Sequence, residues 1–180
     1  MTLSILICTL PARKEMFDAL VASLQKQQTD EVEILYDQTT GVSTGAKRNT
    51  LLQSAKGDYV CFIDDDDTVS ERYVITILNA LKTKPDCCSL KGIITTDGRN
   101  VRTFEHSVTY KRYFEKDGVY YRPPNHLNVI RKDIAQRFKF PDKTFSEDTD
   151  WAMMLCRSGM LRTESKLPHA IYHYRYRTKK

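Results

Sequence analysis

Four consecutive carboxylates, Asp64 to Asp67, follow directly on the apolar run Tyr59-Val-Cys-Phe-Ile. Like charges side by side at the end of a buried strand repel one another and weaken any fold that has no use for them. A divalent cation removes that cost, because Mg2+ and Mn2+ take oxygen ligands and complete their shells with phosphate oxygens and water around one or two carboxylates. The carboxyl ends of parallel strands are also where open α/β sheets bind ligands. If the extended geometry persists through the run, Asp64 and Asp66 face one way and Asp65 and Asp67 the other. A polar turn after a strand is the plainer reading of the same residues.

The preceding sequence supplies the sheet this run requires. Leu3 to Cys8 is apolar without helical spacing, as in a strand buried on both faces. Lys14 to Gln28 places Met16, Leu20 and Leu24 at four-residue intervals with Val21 beside them, one apolar helix face. Val32 to Tyr36 forms a second strand ending at Asp37, a loop holds Gly41 and Gly45, and a helix runs from Lys47 to Ala55 and stops at Gly57. Asp58 to Ile63 is the third strand. Ser70 is the expected N-cap of a helix carrying Val74, Ile77, Leu78 and Leu81, closed by Pro85. Three alternations of strand and helix predict an α/β fold with a doubly wound, mainly parallel sheet.

The second half is less periodic. Apolar pieces at Cys87 to Thr95 and Asn100 to His106 and an aromatic, basic stretch from Tyr110 to Tyr121 read as strands and loops laid over the sheet. Ser146-Glu-Asp-Thr-Asp opens a helix with Trp151, Met154 and Leu155 inward and Gly159 at its end, and Ile171 to Tyr176 is a closing extended segment. At 180 residues and 41% hydrophobic content, one domain over 1–180 is expected.

Charge is unevenly placed. The net +5 resides in residues 162–180, where Arg162, Lys166, Arg175, Arg177, Lys179 and Lys180 stand against Glu164, which suggests an anionic partner or a solvated basic tail. The five cysteines (Cys8, Cys61, Cys87, Cys88, Cys156) form no C-x-x-C pair, and Leu3 to Leu10 is too short to span a bilayer and lacks a basic leader. Reduced thiols and a cytoplasmic setting without integral membrane association are expected.

Gly45-Ala-Lys-Arg-Asn, followed by Ala55-Lys-Gly and a strand into the aspartates, resembles the segment of family 2 glycosyltransferases that leads to a D-x-D motif. Pro124-Asn-His-Leu-Asn-Val-Ile-Arg and Ser146-Glu-Asp-Thr-Asp-Trp are similar to the family's acceptor-side loop and Glu-Asp helix start. The motifs follow the family's order from Ile5 to Arg175.

The resemblance implies a GT-A fold, a Rossmann-like three-layer sandwich with a nucleotide-binding half at about 1–100 and an acceptor half at about 101–180. It also implies a nucleoside-diphosphate sugar donor, a UDP-sugar favoured, with Mn2+ or Mg2+ on the diphosphate. Asp64 and Asp66 take the D-x-D places, Asp66 the preferred ligand and Asp67 a competitor, with His173 either a further ligand or a packed residue. Thr9, Pro11, Arg13, Asp37, Lys47, Arg48, Asn49, Asp64, Asp65 and Arg175 stand where the nucleotide sugar binds. Asn125, His126 and Glu147 stand on the acceptor side. Asp148 matches the catalytic base, whose alternative role is first-turn helix chemistry.

Two other readings use the same residues. Phe62-Ile-Asp-Asp-Asp-Asp-Thr also fits the apolar-D-x-D-x-T pattern of haloacid-dehalogenase-like phosphatases, with Asp64 as nucleophile, although that motif normally lies on a first strand. A basic nucleic-acid-binding module accounts for the C-terminal charge and tyrosines but leaves the aspartates unused. A transferase acting on a nucleic acid base would combine both.

Overall fold

The computed structural model describes residues 1–178, so Lys179 and Lys180 of the basic segment lie outside the described residues. Strand β1 (Leu3–Cys8) pairs in parallel with β2 (Val32–Asp37) on one side and β3 (Tyr59–Phe62) on the other. Helix α1 (Lys14–Gln25) joins β1 to β2, and α2 (Thr44–Ser54) joins β2 to β3. The register aligns Cys8 with Asp37 and Leu6 with Phe62, so the carboxyl ends of all three strands open on one edge.

Next come β4 (Thr68–Val69), α3 (Tyr73–Leu81), β5 (Cys87–Cys88), β6 (Leu90–Thr96) and β7 (Arg99–His106). They are followed by β8 (Phe114–Lys116), β9 (Val119–Arg122), β10 (Ile130–Arg131), α4 (Lys132–Ala135), α5 (Glu147–Ser158), β11 (Glu164–Ser165) and β12 (Tyr172–Tyr176). The first sheet runs β11-β5-β10-β3-β1-β2, and the second β4-β12-β6-β7-β9-β8. Each draws strands from both sides of residue 100.

Alternation along β1 divides the core into two compartments. Leu3, Ile5 and Ile7 pack with Leu20 and Leu24 of α1, Ile77 and Leu81 of α3, and Phe104 and Tyr172 of the second sheet. Leu6, Val60 and Phe62 face the other way, onto Leu51 and Leu52 of α2, Ile134 of α4, and Trp151 and Leu155 of α5. The result is a three-layer α/β sandwich with a mainly parallel central sheet. No helix among the described residues is long and apolar enough to cross a membrane.

Several local expectations need correction. Gly45 lies inside α2 rather than in a loop, because Ser43 caps the helix by accepting a hydrogen bond from the Ala46 N–H at 3.1 Å. Ser70 does not cap α3. Its hydroxyl is buried without a partner, and Gln27 takes the capping role, accepting from the Val74 N–H at 3.1 Å while donating to the Ser70 carbonyl at 3.0 Å. Met154 is 38% exposed, and Ala152 takes its place on the buried face of α5.

Gly45 sits where α2 touches the segment before α5: its N–H donates to the Lys143 carbonyl at 3.0 Å, and a Cβ there would collide with the Pro141 carbonyl. Gly45→Ala is expected to destabilise the fold by about 1–3 kcal/mol through overpacking, read as a lowered midpoint in urea with unchanged m-value.

Candidate functional site

At the shared carboxyl edge lies a cavity of about 540 Å³. Strand geometry stops at Phe62, and the chain turns so that the Asp67 N–H donates to the Asp64 carbonyl at 3.0 Å. The expected two-by-two alternation therefore does not hold, and each carboxylate meets its own partners.

Asp65 is buried against the first strand. It accepts from the Thr9 hydroxyl at 2.7 Å and pairs with Arg13 at 3.0 Å, and desolvation raises its pKa despite these partners. Asp67 is buried against the second sheet, accepting from the Tyr172 hydroxyl at 2.7 Å and the Arg175 N–H at 2.8 Å. Burial, with neighbouring Asp64, pushes it up to about 8. Asp64 and Asp66 keep 28% and 26% of their side chains exposed, and both line the cavity. Asp66 pairs with Arg13. For Asp64, desolvation is outweighed by His126 and Arg48, which hold the carboxyl well below its usual range.

Arg48 organises the opposite wall. Its guanidinium bonds Asp64 at 2.9 Å and Glu147 at 3.1 Å and lies over the rings of Phe62 and Phe140, at 5.1 and 5.7 Å from their centroids. Burial works against its charge, but the surrounding acids, Asp64 first, hold its proton more firmly than usual. Asp148, one residue beyond Glu147 in the first turn of α5, is 30% exposed and 3.6 Å from His126 Nδ1, while His126 Nε2 lies 3.3 Å from Asp64. Lys47, on the same helix as Arg48, is buried and donates to the Thr9 carbonyl at 2.8 Å.

The fold thus gathers Thr9, Arg13, Lys47, Arg48 and Arg175 around the aspartate turn, with His126, Glu147 and Asp148 across from them. Glu147, placed on the acceptor side by sequence, is 4% exposed and is occupied by Arg48. Other expected residues lie elsewhere. Asn49 clamps the Phe140 backbone through two hydrogen bonds of 2.9 Å. His173 turns to the Thr95 hydroxyl at 2.9 Å. Asp37 accepts from the Thr39 N–H at 2.8 Å, and Pro11 is exposed in the turn Pro11–Arg13. Asn125 lines a second, smaller space of about 60 Å³, which shares Asp64, His126 and Asp148 with the large cavity.

That smaller space is also lined by His106 and Arg122, which sequence reasoning missed because neither belongs to a motif. Among the described residues no three His, Cys, Asp or Glu side chains converge as a metal cage.

Two outcomes follow from this geometry. Arg48→Met leaves Glu147 buried without its cation and should cost about 3–5 kcal/mol, measurable by chemical denaturation. His106 is held neutral by burial, its pKa lowered from 6.5 to about 3, so between those values the unfolded chain binds a proton that the folded one refuses. Stability should fall as pH drops from 6.5 to about 3, and His106→Gln should flatten that limb.

The model of Glycosyl transferase family 2 matches residues 15–145. No curated protein matches significantly by sequence. Among solved structures, S. aureus TarS 1-349 in complex with UDP-GlcNAc superposes with a TM-score of 0.70 at 15% identity, covering 100% of this chain and 60% of that one. The same fragment in complex with UDP gives 0.68 at 15% identity, with 97% and 60% covered, and S. aureus TarS itself gives 0.69 at 17%, with 97% and 37% covered. This chain therefore spans about three fifths of the TarS 1-349 chain, and what it shares with TarS at that identity is the GT-A fold. The match over residues 15–145, on this fold, shows that the chain belongs to glycosyl transferase family 2.

Proposed function

We propose that this chain is the catalytic domain of a metal-dependent, inverting glycosyltransferase that moves a sugar from a nucleoside-diphosphate sugar to a hydroxyl acceptor. One observation carries the reading: a partly exposed carboxylate, Asp148, faces the half-open pair Asp64 and Asp66 across a single cavity at the carboxyl edge of the sheet. The haloacid-dehalogenase reading loses its support with the family match. The binding-module reading gives way to the same match.

The donor set fits a divalent cation held by few protein ligands. Asp66 and Asp64 would hold Mn2+ or Mg2+, with diphosphate oxygens and water completing the shell, whereas Asp67 is spent on Tyr172 and the Arg175 backbone. When bound, the cation neutralises charge on the diphosphate leaving group. Arg175, whose side chain lines the cavity without an ion pair among the described residues, would face the same diphosphate. Arg13 orders the aspartate turn from one side and Arg48 from the other.

Asp148 takes the acceptor proton as the hydroxyl oxygen forms its bond to the anomeric carbon. The bond from that carbon to the diphosphate breaks on the opposite face, so a single displacement inverts the configuration. His126 Nδ1 lies 3.6 Å from the Asp148 carboxylate. A UDP-sugar is the favoured donor, in keeping with the UDP-GlcNAc and UDP of the TarS structures. The basic C-terminal segment favours an anionic acceptor, nucleic acid included. A cytoplasmic setting accords with free cysteines, three of which (Cys8, Cys61, Cys88) burial pushes up to about 12.

Titration with UDP in Mn2+, together with slow hydrolysis of UDP-sugars, tests the reading. Asp66→Ala should weaken metal-dependent UDP binding by about ten-fold or more. Asp148→Asn should keep that binding and lower turnover by about a hundred-fold or more. Metal-independent UDP binding, or loss of binding in Asp148→Asn with full activity in Asp66→Ala, would sink it.

A further inference from the structure

Besides Asp64, His126 and Asp148, which it shares with the large cavity, the smaller space is lined by groups that neither donor binding nor proton removal uses. His106 is 1% exposed, and its Nδ1 lies 3.0 Å from the Asn128 side-chain oxygen. That oxygen also accepts from the Asn125 N–H at 3.0 Å, while the Asn128 amide nitrogen donates to the Cys88 carbonyl at 2.9 Å. Both contacts fix the orientation of the Asn128 amide, so Nδ1 must carry the proton and donate. Nε2 is then a lone pair, buried and without a formed hydrogen bond, on a ring that lines the space together with the nearby Asn125 side chain. A buried acceptor left unpaired costs free energy that a ligand hydroxyl recovers.

Arg122 lines the same space. Its guanidinium lies over Tyr113 and Tyr120, with centroid distances of 5.5 and 5.9 Å. Of the cations at the aspartate turn, Arg13 and Arg48 are tied to carboxylates and Lys47 to the Thr9 carbonyl, and Arg175 is assigned to the diphosphate. Arg122 makes no ion pair among the described residues. Stacking fixes the plane of the guanidinium while leaving its N–H fork for an anion, the arrangement in which arginine recognises carboxylate or phosphate.

We propose that this space is the acceptor's recognition subsite, and that it takes a polyol bearing an anionic group: a hydroxyl donates to His106 Nε2, and a phosphate or carboxylate meets Arg122, which places a neighbouring hydroxyl at Asp148. The assignment rests on the glycosyltransferase reading of the larger cavity and names the acceptor class. At about 60 Å³ the space admits one substituted arm of an acceptor rather than a whole sugar ring. His106 and Arg122 are positioning groups for the acceptor and touch none of the residues assigned to the cation.

The test uses the chain saturated with UDP and Mg2+, so that the diphosphate site is filled, titrated by calorimetry with glycerol 3-phosphate, glycerate, glycerol and inorganic phosphate. At least one of the two hydroxylated anions should bind about ten-fold more tightly than glycerol and more tightly than inorganic phosphate, and the tighter of the two identifies phosphate or carboxylate as the natural group. Arg122→Gln should reduce that anion to the level of glycerol, and His106→Phe should remove its advantage over inorganic phosphate, both with UDP affinity within about two-fold of the parent.

Equal binding of glycerol and the anions by the unaltered chain overturns the proposal whether or not the variants fold. So does unchanged anion binding in Arg122→Gln. Failure of the initial UDP titration would instead strike the nucleotide-sugar reading, and the two results are separately visible.

Discussion

The buried charge of Arg48 is the interaction on which the rest depends. A guanidinium in the interior is tolerated only when its donors are matched, and here the residues around it, on α2, come from the end of β3 and the turn after it, from the segment before α5 and from the start of α5. Asp64 and Glu147 balance it, and Phe62 and Phe140 cover its faces. Because Glu147 is held, its neighbour Asp148 is fixed relative to the aspartate turn. One cation thereby sets the spacing between the two walls of the cavity.

The same logic separates four chemically identical side chains. Asp65 and Asp67 are consumed in tying the turn to the first strand and to the second sheet. Asp64 and Asp66 keep an exposed part each. A run of like charges thus becomes two anchors and two facing groups, and the repulsion that made the run conspicuous is relieved by partners supplied from every side.

Sequence patterning conveyed the first half of the fold well, because β1, β2 and β3 are continuous apolar runs and α1 carries one apolar stripe. Its motifs pointed to the residues of the candidate site, since Asp64, Asp66 and Asp148 lie in strings whose spacing is meaningful and the fold brings them to one cavity. It failed where tertiary contacts override local preference. Ser70 has cap chemistry, yet Gln27 arrives from the turn after α1 with a longer reach. Gly45 reads as a loop residue, yet it is the absence of a side chain beside Pro141 that the helix needs. His173 sits among aromatics like a candidate ligand, and only pairing of β12 with β6 and β4 turns it to Thr95. His106 and Arg122 carry no motif at all, and their value comes from neighbours distant in the chain.

The threading of β12 between β4 and β6 has a consequence for the order of events during synthesis. Asp67 lies in the first half of the chain, but the hydroxyl and N–H that satisfy it belong to Tyr172 and Arg175. On the ribosome, the parallel strands and their helices can form with Asp64, Asp65 and Asp66 already paired to Arg48, Thr9 and Arg13, while Asp67 lacks its donors until β12 is made. The aspartate turn therefore gains its full set of partners only once a strand 105 residues further along the chain has been made.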